Sequence, residues 1–290
     1  MFYKFIIAFA IVVQVVSCKK EKNNNMDMLL LALAPAPVSV AFTIAAGDAA
    51  VDCSSSIDGV AGGNGFKIND LRFFVSDVKL VSESGVHPLA LDQDGAWQYK
   101  NVALLDFENA TGNCNGSAAT NVAVKGLAPR GNYTGIEFTL GVPVELNHLD
   151  VGASTTPAPL NTTGMFWTWL TGYKFMKLDF ATTGNAGNFH LGSMGCPGDS
   201  TTAAPSGSCK FQNRSVIRLT RAGGFDPATH KVKLDLKQLL AKVSYTDNKY
   251  KCHAMKAGQD LVDCPKVYPA LGVDYATGDS SGSQSAFSIQ

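Results

Sequence analysis

Alternation of apolar and polar side chains runs through most of this chain and sets its fold class. Val38, Val40, Phe42 and Ile44 alternate with small or polar residues, the two-residue period of a strand with one buried face. Leu71, Phe73 and Val75 follow the same rule, after which the phase slips to Val78 and Leu80, as a bulge would cause. Ile136, Phe138, Leu140 and Val142 make a third run, and Val232, Leu234 and Leu236 a fourth. A helical period is convincing once, where Leu236, Leu239, Leu240 and Val243 fall on one face. Long polar connections such as 195–210 separate the runs. The pattern predicts an all-β, sandwich-like domain over residues 38–290, with long loops and one or two short helices.

The first residues break that pattern. Lys4 precedes an apolar run from Phe5 to Val16, interrupted by Gln14 and too short to span a bilayer. Residues 1–17 therefore read as an export signal. The string Val15-Val16-Ser17-Cys18 resembles the lipobox of bacterial lipoproteins, which makes Cys18 the expected lipidated residue. Residues 18–37 read as a flexible tether, polar at first and proline-containing at its end. The expected location is the bacterial periplasm or cell envelope, at a membrane held by lipid, with the outer membrane favoured.

That location changes how the cysteines are read. Six remain after Cys18: Cys53, Cys114, Cys196, Cys209, Cys252 and Cys264. An even number in an oxidising compartment argues for disulfides, and nearest-neighbour pairing gives Cys53–Cys114, Cys196–Cys209 and Cys252–Cys264. The chain has no C-x-x-C, which disfavours a zinc ribbon, and no C-x-x-C-H for covalent haem. Basic and acidic residues balance at 24 each, so no positive field attracts nucleic acid. A binding protein is expected, not an enzyme.

The candidate chemistry lies in Met165-Phe166-Trp167-Thr168-Trp169-Leu170-Thr171-Gly172-Tyr173. In an extended strand Met165, Trp167 and Trp169 would share one face. Packing is the commoner use of such a stripe. Here, however, His148 and His190 bracket the segment, and Cys252-His253-Ala254-Met255 adds another imidazole and thioether. Imidazole with thioether, without carboxylate clusters, suits Cu(I) better than Zn²⁺, Ca²⁺ or Mg²⁺. An alternative function is a carbohydrate- or protein-binding module that stacks sugar rings on Trp167, Trp169 and Tyr173.

Several strings point the same way: Phe138-x-Leu140-Gly141-Val142-Pro143, Leu146-Asn147-His148-x-Asp150, Met165-Phe166-Trp167-x-Trp169 and Gly172-Tyr173-Lys174-Phe175. With His190-Leu191-Gly192-Ser193-x-Gly195-Cys196 and the late cysteines, the set resembles the methanobactin-associated copper protein (MbnP-like) family. The resemblance spans roughly residues 38–287. It implies an exported, mostly β protein that binds one copper ion as Cu(I). It also implies that Trp167 is oxidised to kynurenine by a separate dihaem protein similar to cytochrome c peroxidases. Family sites use histidine and methionine. Carried onto this chain, the ligand candidates are His190 and then His148, and Met165 and then Met255.

Overall fold

The strand Lys67–Ser82 organises the larger of the two many-stranded sheets in the computed structural model, which describes residues 34–244 and 250–290. The expected signal peptide, Cys18 and nearly all of the tether lie outside the described residues. Across the larger sheet run Ser215–Phe225, Tyr133–Leu140, Lys67–Ser82, Met176–Thr182, Asn185–Leu191 and Lys251–Cys252. Gly85–Pro88 and Val102–Asp106 also pair with the long strand. The smaller sheet runs Phe287–Ile289, Val232–Asp235, Ala36–Ala46, Ala123–Ala128 and Ala90–Leu91. The first strand thus begins slightly ahead of the predicted domain start, with Pro37 opposite Leu127 near its beginning, where a missing N–H is tolerated.

The period-2 runs do what their pattern requires. Val40, Phe42 and Ile44 are buried from the smaller sheet, and Leu71, Phe73, Ile136 and Phe138 from the larger. The Phe42 ring meets Phe73 and Phe138 edge-on, with centroids 6.2 and 5.6 Å apart, so the core lies between the sheets. The phase slip after Val75 is a bulge. Register shifts between Ser76 and Lys79, and Asp77 takes a positive φ of 51°.

Two helices follow the second half of the pattern less closely. Leu236–Leu239 is helical, and Asp235 caps it by accepting from the backbone N–H of Lys237 at 2.9 Å. Turns carry Leu240 and Val243 to the same buried face. The helix Asp260–Val267 has no amphipathic signature, because Asp260 and Asp263 are buried. Their carboxylates accept backbone N–H groups of His253, Met255 and Lys251, which satisfies charges that otherwise belong in solvent.

All three nearest-neighbour disulfides form. Cys53–Cys114 closes the longest loop, with a sequence separation of 61, and the chain-entropy argument assigns it about 4 kcal/mol. Cys196–Cys209, with a separation of 13, is assigned about 3 kcal/mol by the same relation. Cys53→Ala with Cys114→Ala is therefore expected to lower unfolding free energy in urea more than Cys196→Ala with Cys209→Ala. The reverse order would reject loop entropy as the main contribution.

Candidate metal centre

Three elements bring the candidate residues to one edge of the larger sheet. In Asn185–Leu191, Phe189 and Leu191 point into the core, while Asn188 and His190 face outward. Lys251–Cys252 adds to that edge in parallel, with Asn188 opposite Lys251 and Phe189 opposite Cys252. His253 consequently arrives beside His190. Their rings stack with centroids 4.9 Å apart and planes 17° from parallel. Both line a cleft of about 680 Å³ with Asp70, Lys177, Asp179 and Asn188.

The polar partners of this pair fix its chemistry. His190 Nε2 donates to Asp179 Oδ1 at 2.7 Å, which leaves Nδ1 as the ring nitrogen not engaged by the carboxylate. Burial alone would raise the Asp179 carboxyl, but the His190 hydrogen bond and the Lys177 charge hold it below the usual range. Lys177 bridges Asp70 at 2.5 Å and Asp179 at 3.3 Å. His253 is held below the ordinary imidazole range, first by burial and then by the neighbouring His190. Its Nε2 is buried and has no hydrogen-bond partner. An orphaned, neutral imidazole nitrogen is costly in a packed protein and is the donor a soft cation takes.

Trp167 stands over the end of the same strand. The segment is not the continuous strand its alternation predicts. Thr163–Met165 is a 3₁₀ turn, Phe166–Thr168 a short strand, and Gly172–Tyr173 its antiparallel partner. Gly172, at φ 78°, turns the hairpin, and an added Cβ there would meet the Asn147 carbonyl oxygen at 2.3 Å. Trp167 is half-buried. A Cβ on Gly192 would lie 2.4 Å from its Cζ3 and 3.0 Å from its Cη2. The benzo edge of the indole therefore rests on Gly192, two residues after His190 in the chain.

The other predicted residues divide. Met165 ends the 3₁₀ turn and is fully buried in the core, so it does not share a face with Trp167 as a continuous strand would require. Met255 is 59% exposed and its backbone N–H is tied to Asp260 Oδ2 at 2.6 Å, two residues beyond His253. His148 belongs to a separate cluster. Its Nδ1 donates to the Trp169 carbonyl at 3.1 Å, and Trp169 Nε1 donates to the His148 carbonyl at 2.8 Å. Burial lowers the His148 pKa. His148, Cys196 and Cys209 are the one group of three such donors within 4.8 Å of one another among the described residues, but two of the three are the sulfurs of a disulfide. Tyr173 is fully buried, so the stacking platform expected of a sugar-binding module does not form. The partnership of His190 with His253 was invisible in sequence, because a two-residue parallel pairing creates it.

A family model described as MbnP matches residues 35–254, which includes Trp167, His190 and His253 and stops just before Met255. Among solved structures, MbnP from Methylosinus trichosporium superposes with a TM-score of 0.71 at 28% identity, over 88% of this chain and 98% of that one. No curated protein matches the sequence significantly. Among the described residues, no helix is long and apolar enough to cross a membrane.

Proposed function

We infer, for a chain that belongs to the MbnP family, that it is an exported, lipid-anchored Cu(I)-binding protein of copper homeostasis. The observation that carries this reading is the buried, unpartnered Nε2 of His253 beside the stacked His190 ring. Two imidazoles in one cleft, with the Met255 thioether on the adjoining turn, form a donor set suited to a soft monovalent ion. His190 and His253 would hold the copper, with Met255 as the thioether candidate. Asp179 orients His190 from the opposite ring nitrogen, as outer partners of metal-bound histidines do.

Trp167 is the proposed modification site. Conversion to kynurenine oxidatively cleaves the Cγ–Cδ1 bond of the pyrrole ring, adds oxygen to both carbons, releases Cδ1 as formate on hydrolysis and leaves the benzo ring intact. The part of the indole packed on Gly192 is that benzo edge, so the reacting ring is on the side away from the strand. The product carries an aryl amine and a ketone where the indole had a single N–H donor. No haem-attachment motif exists in this chain. A dihaem, cytochrome c peroxidase-like partner is therefore proposed to supply the oxidising equivalents, and the chain itself acts as a binder without catalytic turnover.

Copper content by mass spectrometry and intact mass of the Trp167 peptide test the reading together, on protein co-produced with the oxidase. The wild-type chain is expected to retain about one copper and to show the kynurenine mass. His253→Phe and His190→Phe are each expected to weaken copper binding by about tenfold or more. Full copper retention in both variants would remove this pair from the site.

A further inference from the structure

We propose that His148, Cys196 and Cys209 form a second, redox-gated metal site: opening the Cys196–Cys209 bond creates two thiolates and an imidazole for a d¹⁰ cation, Cu(I) or Zn(II). The imidazole is already aimed. Its Nδ1 is spent on the Trp169 carbonyl, so the lone pair sits on Nε2, 3.5 Å from Cys209 Sγ. A tetrahedral ion with metal–sulfur and metal–nitrogen bonds of about 2.3 and 2.0 Å places its sulfur and nitrogen ligands about 3.5 Å apart. Those two donors therefore need no rearrangement. A carbonyl on the far nitrogen is also the usual outer partner of a metal-bound histidine.

The second sulfur must move. Two thiolates on one ion sit about 3.8 Å apart, against about 2 Å when bonded. A side-chain rotation at Cys196 covers that difference. Cys196 is only partly buried and lies between the exposed Gly195 and Pro197, whereas both cysteines of each other disulfide are buried. A neighbouring cleft of about 320 Å³, lined by His148, Ser193, Cys209 and Gln212, leaves a fourth position open. The Asn147 side-chain amide, at 3.2 Å, holds the Nε2 lone pair meanwhile.

The chemistry balances with a dithiol as reductant. Its two sulfurs become a disulfide, the Cys196–Cys209 bond breaks, and two thiols form. Metal binding then releases their two protons to solvent. With the bond closed, neither sulfur is a thiolate and the site is shut. None of this depends on His190 or His253, so failure here leaves the copper reading untouched.

The test is an anaerobic Co²⁺ titration of the folded chain after dithiol treatment, with bond opening mapped by alkylation and mass. One equivalent of cobalt is expected, with thiolate-to-metal charge transfer and tetrahedral visible bands. Stoichiometric Zn²⁺ or Cu⁺ should displace it. The oxidised chain and Cys196→Ser with Cys209→Ser should show no such bands, and His148→Gln should bind about tenfold more weakly. Bands that survive the double serine variant, absent bands with both thiols free, or failure of both ions to displace cobalt would overturn the proposal. So would loss of near-ultraviolet circular dichroism once this bond opens, because the site requires the loop to persist.

Discussion

Gly192→Ala is expected to displace Trp167 and to cost about 2–3 kcal/mol of stability, although it adds a single methyl group. The new Cβ would lie 2.4 Å from Trp167 Cζ3 and 2.6 Å from the Tyr173 carbonyl oxygen. The first contact is a rigid ring and the second is backbone, so neither neighbour yields by a simple rotation. The hairpin carrying Trp167 must lift from the strand that carries His190. Trp167 emission should shift to the red, and copper retention and kynurenine yield should fall together. Gly131→Ala is the control, since nothing lies within 4 Å of its added Cβ, and it should change stability by less than about 0.5 kcal/mol. Unaltered copper and kynurenine in a folded Gly192→Ala chain would show that indole placement does not govern maturation.

The same comparison shows what the sequence made legible. Strands with one buried face announce themselves, because a period of two requires only local information. Phe42, Phe73 and Phe138 were readable as core before their mutual contacts were known. The bulge after Val75 was readable as well, since an extra residue has to break the alternation. Disulfide pairing followed chain proximity in all three cases. The hairpin at Trp167 was not legible. Its alternation matches a long strand, and the left-handed Gly172 that ends it is one glycine among 28. In sequence His253 reads as an imidazole but not as the partner of His190. Their adjacency depends on Asp260 and Asp263 turning inward to hold the intervening backbone, and two aspartates in a polar stretch look like solvent-facing charge. Met165 illustrates the converse, where a residue adjacent to the motif is spent on the core.

Arg72→Met is expected to lower unfolding free energy by about 3–5 kcal/mol near neutral pH, the usual result of removing one member of a buried ion pair. Arg72 is 9% exposed and lies among Asp70, Asp106 and Glu108, which are 3%, 2% and 0% exposed. Its Nε donates to Asp70 Oδ1 at 2.8 Å, and its guanidinium also bonds Asp70 Oδ2. Burial pushes the Asp106 carboxyl up to about 7 even against the pull of Arg72. A folded-state pKa above the unfolded value of about 3.9 means that folding is favoured while the group is protonated. The Asp106 contribution is thus complete below about pH 4 and is lost as pH rises through about 7. Without Arg72 the carboxyl should rise further, so the deficit should be largest in alkaline buffer and shrink on acidification. Asp106→Asn should act oppositely, raising the urea midpoint above neutrality and flattening its pH dependence. A deficit in Arg72→Met that is constant with pH would identify lost packing instead of unbalanced charge. The consequence reaches the candidate copper site, because Arg72 holds Asp70, Asp70 and Asp179 hold Lys177, and Asp179 orients His190. Copper affinity should therefore weaken in Arg72→Met even where the chain remains folded.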